Sequence, residues 1–390
     1  TDSYAFTRSN VELAIFNVDT DVAGQNSMSF SDQFNSADAY FVYCHLDATG
    51  ATTLQNSSTE FDRHDGVANL WGPDTEFIVD RCTLEGQNNG INAGLDSKIT
   101  RNVIAHYAGK TNGFGVFMYG ENDCLVQDNV IIPDASGRGV LMSGGTSGTV
   151  VDDNVILSLE EKGSVSGNGE YADGHYATAA RCIACKYTTG DLTWSNNTCL
   201  AMGGGDHNGC HGLKMDDRGN TDVSTFSGNT VTAVVGGGAS FSGGSTANYF
   251  ASALSIEGTG KNGGTQGQNV ITNNTFQTNH LHVLMESYSG EGDNREPATD
   301  NTWNYITGSD AETAFNTAID DKMAAINMDG VTEAAALVTS AKSTINTVIN
   351  GEALDANRKF WKPKYWQAQE TYDSWFTILD NTFGTGVTGD

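Results

Sequence analysis

Two octets, CLVQDNVI at residues 124–131 and TVVDDNVI at 149–156, close on the same four letters and carry Asn129 and Asn154 at the same place. Alternating apolar residues, then Asn, then two apolar or small residues recur ten times. The markers are Asn17, Cys44, Cys82, Asn102, Asn129, Asn154, Asn197, Asn229, Asn274 and Asn304. A unit of two or three short strands cannot bury an apolar face by itself, so such a chain is stable only when each unit stacks on the next. Marker spacing varies from 20 to 45 residues, which rules out a strict short solenoid and permits loops.

Between the markers lies a second motif, a short alternating strand after Gly or another small residue: GVFMYG, GVLMSG, CIACKY, GLKMDD, ALSIEG and HVLMES. Period 2 places Val116 with Met118, Val140 with Met142, Leu213 with Met215, Leu254 with Ile256 and Val283 with Met285 on one face, an inward column. Stacked parallel strands lie about 4.8 Å apart, so a buried turn Asn can bond its amide to the Asn above and below.

Composition agrees. Glycine is abundant (46), proline scarce (4) and only 17% of residues are charged, a profile of short strands and turns. A formal charge of -28 repels nucleic acid and acidic membranes, and the surplus of carboxylates suits calcium. No stretch is long and apolar enough to span a membrane and the start is not signal-like, so the chain reads as a mature soluble product or a fragment. Sequons begin at Asn56, Asn196 and Asn273.

The repeats resemble the right-handed parallel β-helix of the pectate-lyase-like superfamily over roughly residues 12–308. The expectation is an all-β, single-stranded coil of about ten rungs at 1–308 with a helical and aromatic C-terminal cap at 309–390. The competing fold, a β-sandwich, does not need one Asn at one register in successive repeats. In the cap, Ser309 and Glu312 have capping-box spacing, and Phe315, Ile319, Met323 and Ile326 share a helical face. A second helix includes Val338, Ile345 and Val348. The segment after it holds Arg358, Lys359, Lys362 and Lys364 with Trp361, Trp366 and Trp375. Covering the strand edges at the end of the coil is the simplest role for all of it, with sugar binding or subunit contact by its aromatics the sharper one.

Seven cysteines form no paired zinc pattern. Cys44 and Cys82 sit at marker positions of what look like adjacent rungs, either bonded to each other or filling the ladder where Asn is absent. Cys182, Cys185, Cys199 and Cys210 fall within one or two rungs of each other, close enough for another disulfide.

The alternate residues of the inward strands are expected to face solvent, with one file reading Trp71, Gly94, Tyr119, Ser143, Lys186, Asp216, Glu257 and Glu286. Trp71, Tyr119 and neighbouring Phe117 suit sugar rings, and carboxylates one rung apart could do acid and base work or hold Ca²⁺. Lys186 and Lys214 flank Asp216. A solvated charge ladder, in which lysines offset repulsion between acids, is the plainer reading. His64, His175, His207 and His211 lie in turns before such strands and could move protons, although turn histidines more often bond backbone.

Polysaccharide lyases on this fold combine calcium-binding acids with a Lys or Arg base. The resemblance therefore points to Asp216, Asp217, Glu257 and Glu286 as metal ligands and to Lys186, Lys214 and Arg181 as bases. Hydrolases of the fold use aspartates plus His, which Asp216, Asp217 and His211 match in part and in a different order. Two functions follow as expectations. One is a secreted, extracellular carbohydrate-active protein that binds a polysaccharide and cleaves it by lyase or hydrolase chemistry. The other is a non-catalytic surface, filament or viral fibre protein that assembles as a homo-oligomer. Asp19 and Asp21 make a weak further ligand pair.

Overall fold

The computed structural model describes residues 4–6, 12–16, 19–21, 28–30, 37–47, 68–71, 75–85, 89–94, 96–105, 113–120, 123–133, 137–144, 147–160, 180–186, 191–203, 210–216, 224–235, 251–257, 269–286, 296–349, 351, 353–354, 358–363 and 376–387. The chain is an all-β parallel β-helix. Among the described residues every third strand falls in the same sheet, which gives three parallel sheets of eleven strands each and therefore eleven coils. The fifth coil shows the plan, with Gly113–Tyr119 in the first sheet, Leu125–Gln127 in the second and Val130–Ile131 in the third. The sixth repeats it with Gly137–Ser143, Thr149–Asp152 and Val155–Glu160.

The interior follows the alternation. Val116, Met118, Val140, Met142, Leu213, Met215, Leu254, Ile256 and Val283 all lie in the central core, whereas the side chain of Met285 lies outside the described residues. Each such side chain contributes about 1.5–3 kcal/mol on leaving water. Toward the C-terminal end the core turns aromatic, with Trp194 edge-on to Phe226 and Phe276 stacked on Trp303, each pair at 4.4 Å between ring centroids.

The repeated asparagine closes the corner between the second and third sheets. The Nδ2 of Asn129 donates to Asn154 Oδ1 at 2.9 Å and to the Ile99 carbonyl at 2.8 Å. Asn154 Oδ1 also accepts the Asn129 backbone N–H at 2.9 Å. The same pattern runs through Asn102, Asn197, Asn229, Asn274 and Asn301 to Asn381. The ladder amides from Asn102 to Asn301 are thus satisfied, which a buried polar group requires. Cys44 and Cys82 extend the row, with the Cys44 N–H on Cys82 Sγ at 3.3 Å and the Cys82 N–H on Asn102 Oδ1 at 2.8 Å. Their sulfurs fill the ladder as thiols, and all seven cysteines are buried. Asn301 takes the position expected of Asn304, and Asn17 lies outside the described residues.

The residue before each ladder member has positive φ: Tyr43, Arg81, Arg101, Asp128, Asp153, Asn196, Gly228, Asn273, Asp300 and Asp380. The corner demands the left-handed conformation, and Asn, Asp and Gly are the residues that tolerate it best. Two sequon asparagines, Asn196 and Asn273, are therefore accounted for by backbone geometry alone.

Across the narrow bend from the first sheet to the third, glycine meets a branched side chain. A Cβ on Gly139 would stand 2.2 Å from Ile156 Cγ2, and one on Gly115 would stand 2.2 Å from Ile131 Cγ2. The two walls approach too closely there for two large side chains.

The C-terminal region differs from the expected cap. Helix α1 (Gly308–Ala325) begins at Thr307, whose Oγ1 accepts from the Asp310 N–H at 3.2 Å, two residues before the anticipated start. With α2 (Thr332–Ile349), it lies along the flank of the third sheet instead of over the end. Phe315, Ile319, Met323 and Ile326 share one cluster with Val103, Val130, Val155, Leu157 and Leu200. Lys322 fastens α1 to two corner residues, Asp128 at 2.9 Å and Asp153 at 2.7 Å. The strands Lys359–Pro363, Phe376–Leu379 and Thr382–Phe383 then pair with the tenth coil and form the eleventh, so the basic aromatic segment contributes strands to the coil itself.

Candidate functional site

The first sheet carries the candidate residues because its strands are the longest, up to seven residues, and alternate inward Val, Met, Leu or Ile with other types. Register sorts the outward residues into files. One file runs Trp71, Asn92, Phe117, Leu141, Ala184, Lys214 and Ser255. A second runs Tyr119, Ser143, Lys186 and Asp216, and Glu257 on the next coil pairs with Glu286 on the one after it. Trp71 pairs with Asn92 and so belongs to the first file. The expected line joining it to Tyr119 and the acids is corrected by two residues, because the strand Ala68–Trp71 meets Asn89–Ala93 through its last residues.

A third file sits nearer the bend. Arg181 pairs with His211, and His211 with Ser252. The His211 ring Nδ1 and Ser252 Oγ are 2.7 Å apart. Three consecutive coils, with strands Ala180–Lys186, Cys210–Asp216 and Ala251–Glu257, therefore bring Arg181, Lys186, His211, Lys214, Asp216 and Glu257 to one outward surface. Adjacent members of a file are about 4.8 Å apart and alternate residues of one strand about 6.6 Å apart along it.

This surface is not the solvated face that alternation suggests. Lys214 is 2% exposed, His211 and Ser255 0%, and Phe117 3%. Phe117 is packed with Phe114, Leu141 and Ala184, its ring stacked on Phe114 at 5.4 Å, and so does not stand open to a sugar ring. The Arg138 guanidinium lies 5.0 Å above the Phe114 ring. A buried ammonium and guanidinium beside an apolar cluster interact more strongly with a charged group than they would in water. The plain solvated charge ladder does not describe Lys214.

The side chains of Trp71, Tyr119, Lys186, Asp216, Glu257 and Glu286 lie outside the described residues, as do Asp217, His64, His175 and His207 entirely. Asp19 and Asp21 are placed as backbone only. Among the described residues no three His, Cys, Asp or Glu stand together in a way that could hold a metal ion. Sequence reasoning did not single out Arg138, Ser252 or Ser255. The signal available for the two serines was ASALSIE, a strand whose outward positions before Glu257 hold small hydroxyls next to strands that carry Lys and His there.

With a His, two lysines, an arginine and two carboxylate-bearing positions on neighbouring coils, the surface can offer proton donors and acceptors beside cationic groups. No helix among the described residues is long and apolar enough to cross a membrane. No protein-family model, curated protein or solved structure matches the chain.

Proposed function

We propose that the protein is an extracellular carbohydrate-active β-helix that binds a polysaccharide along the outward face of its first sheet and cleaves it by lyase or hydrolase chemistry, as the resemblance to the pectate-lyase-like superfamily implies. One observation carries the reading. The register gathers Arg181, Lys186, His211, Lys214, Asp216 and Glu257 on three successive coils, on a face long enough for several sugar units. In this reading Lys186 or Lys214 acts as the base, or His211 as proton donor, while Arg181 neutralises negative charge on the substrate. Asp216, Asp217, Glu257 and Glu286 are the residues that would hold Ca²⁺, whose charge would offset repulsion between carboxylates stacked coil on coil.

The test is a panel of neutral and acidic polysaccharides with products read by mass, where a product lighter by one water marks elimination. Asp216→Asn should lower the cleavage rate roughly 10²-fold or more. Lys214→Ala is a poor probe, since the buried ammonium also supports the fold, and Lys214→Arg is the better companion. A folded protein that cuts nothing in the panel would end the enzyme reading.

A second reading, a structural rod, draws on the eleventh coil, because among the described residues no strand pairs with the outer edges of Lys359–Pro363, Phe376–Leu379 or Thr382–Phe383. Unpaired edges invite another chain. Light scattering would then show polymers whose length grows with protein concentration.

A further inference from the structure

We infer that Cys182 and Cys199 form a cross-linking site, a disulfide that closes the seventh coil across its narrow bend when a disulfide oxidant is present during folding. The argument rests on equivalence between coils and is independent of the proposed activity. At the bend, Gly115 of the fifth coil faces Ile131, and a Cβ placed on Gly115 lies 3.6 Å from Ile131 Cβ. The ladders carry that pair forward one coil at a time. Val116 pairs with Val140 and Val140 with Ile183, so the residues before them, Gly115, Gly139 and Cys182, share one position. Ile131 pairs with Ile156, and Ile156 with Cys199. The seventh coil thus places two cysteines at the positions of the glycine and the isoleucine, whose counterparts in the fifth coil put Cβ atoms 3.6 Å apart, and disulfides need about 3.5–4.5 Å.

Side-chain placement agrees. The Cys182 Sγ donates at 3.5 Å to the carbonyl of Ile156, the residue that pairs with Cys199. Cys210 has its own position, with its Sγ on the Ala201 and Val234 carbonyls at 3.6 Å each. Cys185 is one member of the inward column, paired with Met142 and Met215. Both Cys182 and Cys199 are buried, and burial pushes the Cys182 thiol well above its usual range. The thiolate that exchange requires is therefore scarce once the coil has closed. With oxidised glutathione as the oxidant, one cysteine thiolate attacks its disulfide and releases one glutathione thiol. The second cysteine then displaces the other glutathione, so two electrons and two protons pass to two glutathione molecules and one protein disulfide remains.

The test is to refold the full chain in oxidised or reduced glutathione, quench remaining thiols with an alkylating reagent, and map cross-linked peptides by mass. The expected result is one linkage, Cys182 to Cys199, with a mass loss of two hydrogens and a Tm several degrees higher that reverts with dithiothreitol. The linkage should persist in Cys210→Ala and Cys185→Ala and disappear in Cys199→Ala, which should still fold under reducing conditions. Native protein given the same oxidant should cross-link much more slowly than refolding protein. A linkage through Cys210 or Cys185, or five alkylated thiols failing to appear after oxidative refolding, overturns the assignment.

Discussion

Replacing Asn197 by alanine would leave the Asn154 backbone N–H without its acceptor and the Val151 carbonyl without the Asn197 amide, while the Asn154 side chain keeps its bonds to the Val126 and Asp152 carbonyls. Orphaned buried groups cost about 1–3 kcal/mol each, so a loss of about 3 kcal/mol is expected. The preceding type of position behaves oppositely. Asn273 is exposed at φ 57, and Asn273→Gly should leave stability unchanged or raise it by up to ~1 kcal/mol. Urea midpoints of the two variants measure the contrast, and equal midpoints would refute the ladder account. A third residue sets a pH response. His282 is enclosed by Trp303, Tyr305 and Phe360, and burial lowers its pKa from 6.5 to about 4, although its ring nitrogen bonded to the Asn304 carbonyl works the other way. Arg358 lies over the far ring of this group, Tyr305, at 4.7 Å. Unfolded chain accepts the proton below about 6.5 and folded chain only near 4, so the stabilisation is complete above that window and is lost as pH falls through it. The difference is roughly 3 kcal/mol. His282→Gln should flatten that part of the stability profile between pH 7 and 4, and an unchanged slope would reject the assignment.

Among the elements, the helices show which parts of the sequence were legible. The buried stripe Phe315, Ile319, Met323 and Ile326 follows from 3.6 periodicity, and all four are buried. Their location does not follow, because an end cap and a flank helix need the same single apolar stripe. The discriminating signal lay in the residue after each ladder asparagine. Coils four to six read Asn-Val-Ile, with Val103, Val130 and Val155 pointing outward, whereas coils seven to ten read Asn-Thr followed by Cys, Val, Phe or Trp. Two consecutive apolar residues in a strand mean that both faces are covered, and the helices cover that flank. Lys322 is the polar lock on this packing. Its neighbours raise its pKa against the opposing effect of burial, while burial is the main influence raising Asp153. Asp153 is half exposed, so Lys322→Ala is expected to cost only about 1–2 kcal/mol. Limited proteolysis should then cut α1 or α2 before any strand, and cleavage starting within the coil would contradict the lock.

In the whole molecule the three sheets have different surroundings. Helices cover the middle coils of the third, the described outward residues Phe117, His211, Lys214 and Ser255 of the first are buried, and the second carries half-exposed Thr, Ser, Asp and Gln such as Thr100, Gln127, Asp152, Ser195 and Ser227. The repeat and the inward columns were readable because stacking imposes one demand on every coil. The candidate surface was readable only as membership. Alternation places Lys186, Lys214, Asp216 and Glu257 on the outward side, but register between strands of unequal length misplaced Trp71, and burial of Lys214 comes from the assembled chain. Charge also acts at this scale. With 48 acids against 20 bases, coils spaced about 4.8 Å apart lie well within the roughly 10 Å screening length of dilute buffer. Thermal scans should therefore show Tm rising from low salt toward molar salt, and a falling Tm would mean that attractive ion pairs dominate. The repeated octet itself has one further effect. Because Asn129 and Asn154 are 25 residues apart and occupy identical corners, excising residues 130–154 would join Asn129 to Val155 in phase. Such a chain can lengthen or shorten by whole turns, as a rope is spliced, through nothing more than recombination between two matching stretches of its gene.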